Sequence, residues 1–190
     1  MTCWALVPIK APAACKSRLR AILGEREHAT LVGNMLGRVI AAASKARGID
    51  QVALLGPERH GLSETIPLLA DHGGGDLNAA LAAAMPMLVA LGVDRVVIVP
   101  ADLPRLTPAD IEALAAAATP TSIGIARDHH RTGTNGIALT LPSEFHFAFG
   151  QGSFFRHRDQ ARALGLRPIL VKSETLAFDV DEPAQLQVIQ

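Results

Sequence analysis

Short apolar runs alternate with stretches of helical period through the first two thirds of this chain, and that alternation restricts the fold more than any other feature. The apolar runs cover residues 3–9, 52–55, 66–69 and 95–99. Unbroken apolar runs of this length suit strands buried on both faces. Between them, residues 25–47 carry Leu31, Met35, Leu36, Val39 and Ile40 at helical spacing, with Gly48 placed to end the helix. An Ala-rich helix over 79–91 follows, with Asp76 or Asn78 as its cap. Thr107-Pro108 then opens a third helix that reaches about residue 118. Strands over 122–126, 136–141 and 169–171 are predicted next. Ser153 is expected to cap a helix ending near 164–165, and Asp181 a short last one. Strands separated by helices predict an α/β fold, with a parallel sheet and helices on both faces. No linker or composition shift divides the chain, so residues 1–190 read as a single domain.

Charge and cysteine content narrow the function. Eighteen basic residues balance eighteen acidic ones, which argues against broad nucleic-acid binding. No apolar run is long enough to span a bilayer, and the first residues lack the pattern of a signal peptide. A cytoplasmic protein is the expectation. Cys3 and Cys15 have no companion ligand at metal-binding spacing, so both read as reduced thiols.

Five segments carry candidate chemistry. The run over 95–99 breaks at Pro100-Ala101 and delivers Asp102 ahead of Leu103-Pro104. A carboxylate at the end of a buried strand is well placed to hold Mg2+ against a phosphate. After the first strand, Lys10, Lys16 and Arg18 share a loop of small residues that can approach phosphate closely. It lacks the glycine spacing of a P-loop or a dinucleotide fingerprint. Residues 131–136 read as a turn whose Thr134, Asn135 and glycine N–H groups can meet an oxyanion, or as an ordinary hairpin turn. Gly150, Gly152 and Ser153 precede a helix and can present N–H groups to an anion. Asp179 and Asp181, at alternate positions, can face one way and join Asp102 on a metal, while Asp181 can also cap the last helix. The adjacent His129 and His130 read as a surface pair. No Ser-His-Asp set or H-E-x-x-H pattern supports hydrolase chemistry.

Together these blocks resemble the CofC/FbiD-type guanylyltransferases of deazaflavin coenzyme F-420 biosynthesis, within the nucleotide-diphospho-sugar-transferase-like nucleotidyltransferases. The resemblance runs over nearly the whole chain. It covers Val7-Pro8-Ile9-Lys10 with Lys16-Ser17-Arg18-Leu19, then Leu77-Asn78, Pro100-Ala101-Asp102-Leu103-Pro104 and Gly133-Thr134-Asn135. It continues through Phe149 to His157 and Phe178-Asp179-Val180-Asp181. The resemblance implies a single Rossmann-like nucleotidyltransferase domain with a mixed, mostly parallel sheet. It implies transfer of GMP from GTP to 2-phospho-L-lactate, phosphoenolpyruvate or 3-phospho-D-glycerate, with release of pyrophosphate and Mg2+ as cofactor. On that basis Lys16 and Asp102 would be catalytic. Lys10, Lys16, Arg18, Leu77 and Asn78 would bind GTP, and Thr134, Gly150 and Ser153 the phospho-acid. Asp102, Asp179 and Asp181 would bind the metal. A homodimer is also implied; Phe145, Phe147, Phe149 and Phe154 read as core or dimer contact rather than a base-stacking platform, and are apolar enough to supply an interface.

The chain departs from that pattern at Gly73-Gly74-Gly75 and at Arg131-Thr132. Two alternatives compete with the resemblance. A molybdenum-cofactor-type nucleotidyltransferase would carry a glycine-rich opening loop, where this chain has Ala11-Pro12-Ala13-Ala14-Cys15. A non-catalytic nucleotide-binding protein would have little use for Asp102, Asp179 and Asp181.

Overall fold

The computed structural model describes residues 1–11 and 23–179. The strands are β1 (Cys3–Pro8), β2 (Gln51–Gly56), β3 (Leu68–Ala70), β4 (Arg95–Ile98), β5 (Ser122–Arg127), β6 (Thr134–Thr140) and β7 (Arg167–Val171). The helices are α1 (Glu25–Lys45), α2 (Leu77–Ala90), α3 (Pro108–Ala117), α4 (Ser153–Ala163) and α5 (Glu174–Ala177). Among the described residues the strands form one sheet in the order β3-β2-β1-β4-β6-β5-β7. All neighbours are parallel except those of β6, which runs against both β4 and β5. The sheet is therefore mixed and mostly parallel, as expected.

Successive residues of each strand point to opposite faces, and each face meets its own helices. Ala5, Val7, Leu54 and Val97 pack with Leu36 and Val39 of α1, Ile111 and Leu114 of α3, and Leu176 of α5. Leu6, Ala53, Val96, Ile98 and Ile125 pack with Leu81 and Leu88 of α2 and Phe154 and Ala161 of α4. Both faces are covered, which explains the unbroken apolar runs of β1 and β4. Gly136 is required where α3 crosses β6, because a Cβ there would lie 2.7 Å from Leu114 Cδ1. Among the described residues no helix is long and apolar enough to cross a membrane.

Several boundaries differ from the sequence reading. β3 starts at Leu68, after Pro67, whose carbonyl already accepts the Leu54 N–H at 2.8 Å. β6 starts at Thr134, two residues before its predicted opening, and the turn is confined to 128–133. α5 was not foreseen; it is a single turn capped by Ser173, whose side chain accepts the Leu176 N–H. The helix expected after Asp181 lies outside the described residues. Phe145, Phe147 and Phe154 are 5%, 8% and 7% exposed and belong to the core of their own chain. Of the two readings the sequence left open for them, core or dimer contact, these three take the first.

Topology gathers loops from distant parts of the chain at one end of the sheet. β1 has β2 on one side and β4 on the other, so the crevice at their carboxyl ends is a switch point of the kind where α/β sheets bind ligands. Residues following β1 and β4 open there. Because β6 runs antiparallel, with Ile98 opposite Ile137, its amino end opens at the same place. β7 runs parallel to β5, and α5 follows it to that end.

Candidate functional site

Asp102 follows β4 by four residues and is half-buried in the turn before α3. Asp179 sits just beyond α5. Two contacts draw their segments together. The guanidinium of Arg105, three residues after Asp102, stacks 4.3 Å from the ring centroid of Phe178. Phe178 in turn packs on Met35 and the first half of α1. Asp179 is anchored from β6: the Asn135 amide donates to its Oδ1 at 3.4 Å, and His129 Nδ1 lies 2.9 Å from the same oxygen. His129 is therefore more than a surface residue. It also keeps the predicted contact with His130, at 3.8 Å between ring centroids.

Asn135 owes its reach to a β-bulge. Ala126 pairs with Gly136 and Arg127 with Thr134, so Asn135 is the extra residue on β6. A bulge turns a side chain out of the regular alternation and is common beside active sites. Here it directs the Asn135 amide to the carbonyls of Leu176 and Ala177, each at 3.2 Å, as well as to Asp179.

Thr134 and Ser153 come together through His157. Thr134 Oγ1 lies 3.0 Å from His157 Nδ1, and the Ala148 N–H donates to His157 Nε2 at 2.8 Å. Ser153 is one helical turn before His157 on the same face of α4. Burial, with a smaller contribution from the Arg156 charge, pushes the His157 imidazole down to about 4, so the ring is neutral at physiological pH. Phe145 and Phe149 pack against it, with ring centroids 5.6 and 4.9 Å away.

The loop ahead of α4 is shaped by glycine and by Arg156. Gly150 and Gly152 have φ of +117° and +70°, conformations that side chains rarely adopt. Gly152, not Ser153, occupies the N-cap position, in the left-handed conformation, which corrects the capping expectation. Ser153 is instead the first helical residue, 1% exposed, and no described residue hydrogen-bonds its hydroxyl. The Arg156 guanidinium donates to the carbonyls of Ala148 and Gln151 and so clamps the loop. The N–H groups of Gly150 and Gly152 take no hydrogen bond among the described residues, and they lie at the positive end of α4.

Of the residues expected to meet a nucleotide, Lys10, Leu77 and Asn78 are described. Lys10 is exposed just past β1, and its carbonyl accepts a hydrogen bond from His60 Nε2 at 2.7 Å. Lys16, Arg18 and Asp181 lie outside the described residues. Leu77 and Asn78 open α2, behind an Asp76 cap that accepts the Ala79 N–H at 2.8 Å. The Asn78 amide is committed to the backbone of Phe149: Oδ1 accepts its N–H at 2.6 Å, and Nδ2 donates to its carbonyl at 3.3 Å. Asn78 thus joins the start of α2 to the glycine loop and sets the two candidate subsites side by side. Sequence reasoning assigned no role to Arg156 or His157, and it gave Asn135 only a place in a turn that can meet an oxyanion. The four-residue spacing from Ser153 to His157 was a usable signal; the bulge at Asn135 had none.

Other polar features stand apart from this end of the sheet. Cys3 is buried, and desolvation raises its thiol to about 11, so it is an unreactive core residue. Among the described residues no three His, Cys, Asp or Glu side chains cluster as a metal site.

Comparison with known proteins places the chain in a family and a fold. A family model described as guanylyl transferase CofC like matches residues 3–190. A phosphoenolpyruvate guanylyltransferase of Sphaerobacter thermophilus is 40% identical over 191 residues, covering 98% of this chain and 92% of that protein. A 2-phospho-L-lactate guanylyltransferase of Methanothermobacter thermautotrophicus is 33% identical over 189 residues, covering 97% and 82% respectively. The solved structure of a nucleotidyl transferase from Methanothermobacter superposes with a TM-score of 0.65 over 99% of this chain and 95% of that one; at 16% identity it shows a shared fold.

Proposed function

The chain belongs to the guanylyl transferase CofC-like family, and from that premise we propose that it joins GMP from GTP to phosphoenolpyruvate, releasing pyrophosphate, in coenzyme F-420 biosynthesis. Phosphoenolpyruvate is preferred over 2-phospho-L-lactate because relatives named for it are 40% and 36% identical, against 33% for one named for phospholactate. One structural observation carries the reading: the loop after β4, the opening of β6 and the segment after α5 meet at the carboxyl end of β1 and β4. That end collects carboxylates, open N–H groups and open hydroxyls, which is the equipment phosphoryl-type transfer uses.

In the reaction a phosphate oxygen of the acid bonds to the α-phosphorus of GTP, and the bond from that phosphorus to the β-bridging oxygen breaks. The attacking phosphate is already ionised at neutral pH, so positioning and charge neutralisation suffice and no general base is needed. Thr134, Ser153 and the Gly150 N–H would hold the phospho-acid. Lys10, Lys16 and Arg18 would neutralise the triphosphate. Leu77 and Asn78 border the nucleotide side.

Asp102 and Asp179 suit Mg2+, which takes one or two carboxylates and fills its remaining positions with water and substrate phosphate. The Arg105–Phe178 stack joins the segments that carry these two carboxylates, and Asn135 anchors Asp179, which supports the reading; by the resemblance Asp181 would be a third donor. Bound there, the ion would neutralise charge developing on the phosphates. A cytoplasmic setting, drawn from the cysteine content and the short apolar runs, and a homodimer, which rests on the resemblance, are part of the same proposal. Light scattering in solution checks the dimer; a monomer at all concentrations would remove it.

The proposal is tested by following pyrophosphate release from GTP and Mg2+ with phosphoenolpyruvate, 2-phospho-L-lactate and 3-phospho-D-glycerate offered separately. Release should be fastest with phosphoenolpyruvate. Release with another acid alone would reassign the substrate. Release with none, by a protein that still binds GTP, would favour a different nucleotidyltransferase or a non-catalytic role.

A further inference from the structure

We propose that His157 is a positioning residue that makes the Thr134 hydroxyl a hydrogen-bond donor to the phosphate of the phospho-acid, a role that rests on the substrate assignment above. The backbone N–H of Ala148 can only donate, so His157 Nε2, which receives it at 2.8 Å, is a bare nitrogen. In the neutral ring the proton is then on Nδ1, which faces Thr134 Oγ1 at 3.0 Å. Nδ1–H donates and Thr134 Oγ1 accepts. The hydroxyl's own proton is left for a different acceptor, and no described residue supplies one. An anion does. The opposite polarity, with Thr134 donating to a bare Nδ1, would turn an oxygen lone pair toward the phosphate and repel it.

The surroundings enforce this choice. Phe145 and Phe149 enclose the ring, and His157 is fully buried. The Arg156 guanidinium, clamped on the carbonyls of Ala148 and Gln151, sits beside the same loop. Burial and that neighbouring charge both disfavour the imidazolium. The groups around the imidazole thus exclude its charged form, and the Ala148 N–H excludes one of its two neutral forms. His157 therefore acts on substrate through Thr134 and does not touch it.

A double-mutant cycle on the intact protein reads this directly, with KM for phosphoenolpyruvate and for GTP measured separately. Thr134→Val and His157→Gln should each raise KM for phosphoenolpyruvate about tenfold, and the double variant also about tenfold, because both remove one hydrogen bond. KM for GTP should stay within about twofold throughout. His157→Asn, whose amide nitrogen can stand near the place of Nδ1, should recover most of the loss. Independent, multiplying losses, or equal rises for both substrates, would overturn the role. Thr134→Val with an unchanged KM for phosphoenolpyruvate would instead overturn the substrate assignment, and this role with it. Should the His157 variants not fold, nitrogen NMR of the wild-type imidazole decides. The Nδ1–H tautomer across about pH 5.5–8 supports the proposal, and the Nε2–H tautomer or an imidazolium refutes it.

Discussion

Two buried polar networks sit in this fold, and they differ in whether they close on themselves. The Asp110 network is complete. Its Oδ1 accepts the Ser173 hydroxyl at 2.5 Å, and its Oδ2 accepts the Thr107 N–H at 2.8 Å and the Thr107 and Thr175 hydroxyls at 2.7 Å each. Ser173 and Thr107 are the N-caps of α5 and α3, so one carboxylate ties together two helix ends. The network around His157 is incomplete by contrast. Both ring nitrogens are engaged, yet the Thr134 proton and the Ser153 hydroxyl, both on buried residues, have no described partner, and the N–H of the exposed Gly150 lies open beside them. Buried polar groups left open are destabilising unless a ligand meets them. The closed network belongs to the scaffold; the open one belongs to the site. The contrast predicts opposite phenotypes.

The sharpest break comes from Asp102→Asn. Catalysis should fall about a thousandfold or more, while the melting temperature stays near wild type. A variant with ordinary turnover would remove Asp102 from the metal site. Asp110→Ala should do the reverse. Four donors lose their acceptor, so stability should drop by roughly 3 kcal/mol, with KM values of the folded protein unchanged. Calorimetry and kinetics on the same samples separate the two; a large activity loss at full stability would contradict the scaffold role.

Acid separates the networks by pH window. The folded His157 imidazole is held at about 4 against an ordinary 6.5, so its contribution is present above 6.5 and is lost as pH falls from there toward 4. The loss should be on the order of 3 kcal/mol, and His157→Gln should flatten it. For Asp110, burial alone would raise the carboxyl, but hydrogen bonds from Ser173, Thr175 and Thr107 outweigh it and hold the group below the usual carboxylate range. Its contribution is present above the ordinary value and is lost only as pH falls below it. Urea melts across pH resolve the windows; a His157→Gln protein that keeps the upper slope would break the assignment. The smallest effect is expected from Ser153→Ala. KM for the phospho-acid should rise about fivefold, with little change in stability, because no described residue hydrogen-bonds its hydroxyl. An unchanged KM would leave that hydroxyl outside the site.

Most of the scaffold was legible because strands buried on both faces need unbroken apolar runs, and β1, β2 and β4 have them. The long helix and the Asp76 and Thr107 caps followed from periodicity and cap chemistry alone. β6 was harder. Thr134, Asn135 and Gly136 are turn-forming residues that here lie buried in a strand, because α3 needs the glycine and the bulge needs the asparagine. Ser153 looked like a cap, yet Gly152 in the left-handed region took that place and freed the serine. The phenylalanines around the start of α4 stayed open between core and dimer contact, because their hydrophobicity does not say which side of the loop faces the sheet. For His157 the sequence offered only its four-residue spacing from Ser153, since the partner that gives it meaning, Thr134, comes from β6. The single residues Asp102, Thr134 and Asp179 were visible; the contacts that assemble them were not.

Phosphorus NMR of the intact protein with GTP, Mg2+ and phosphoenolpyruvate tests the central claim most directly, because it distinguishes transfer from hydrolysis. The account predicts a new diphosphate linkage between GMP and the enolpyruvyl phosphate, with pyrophosphate appearing in equal amount. Intact GTP, or GMP with pyrophosphate and untouched phosphoenolpyruvate, would contradict it.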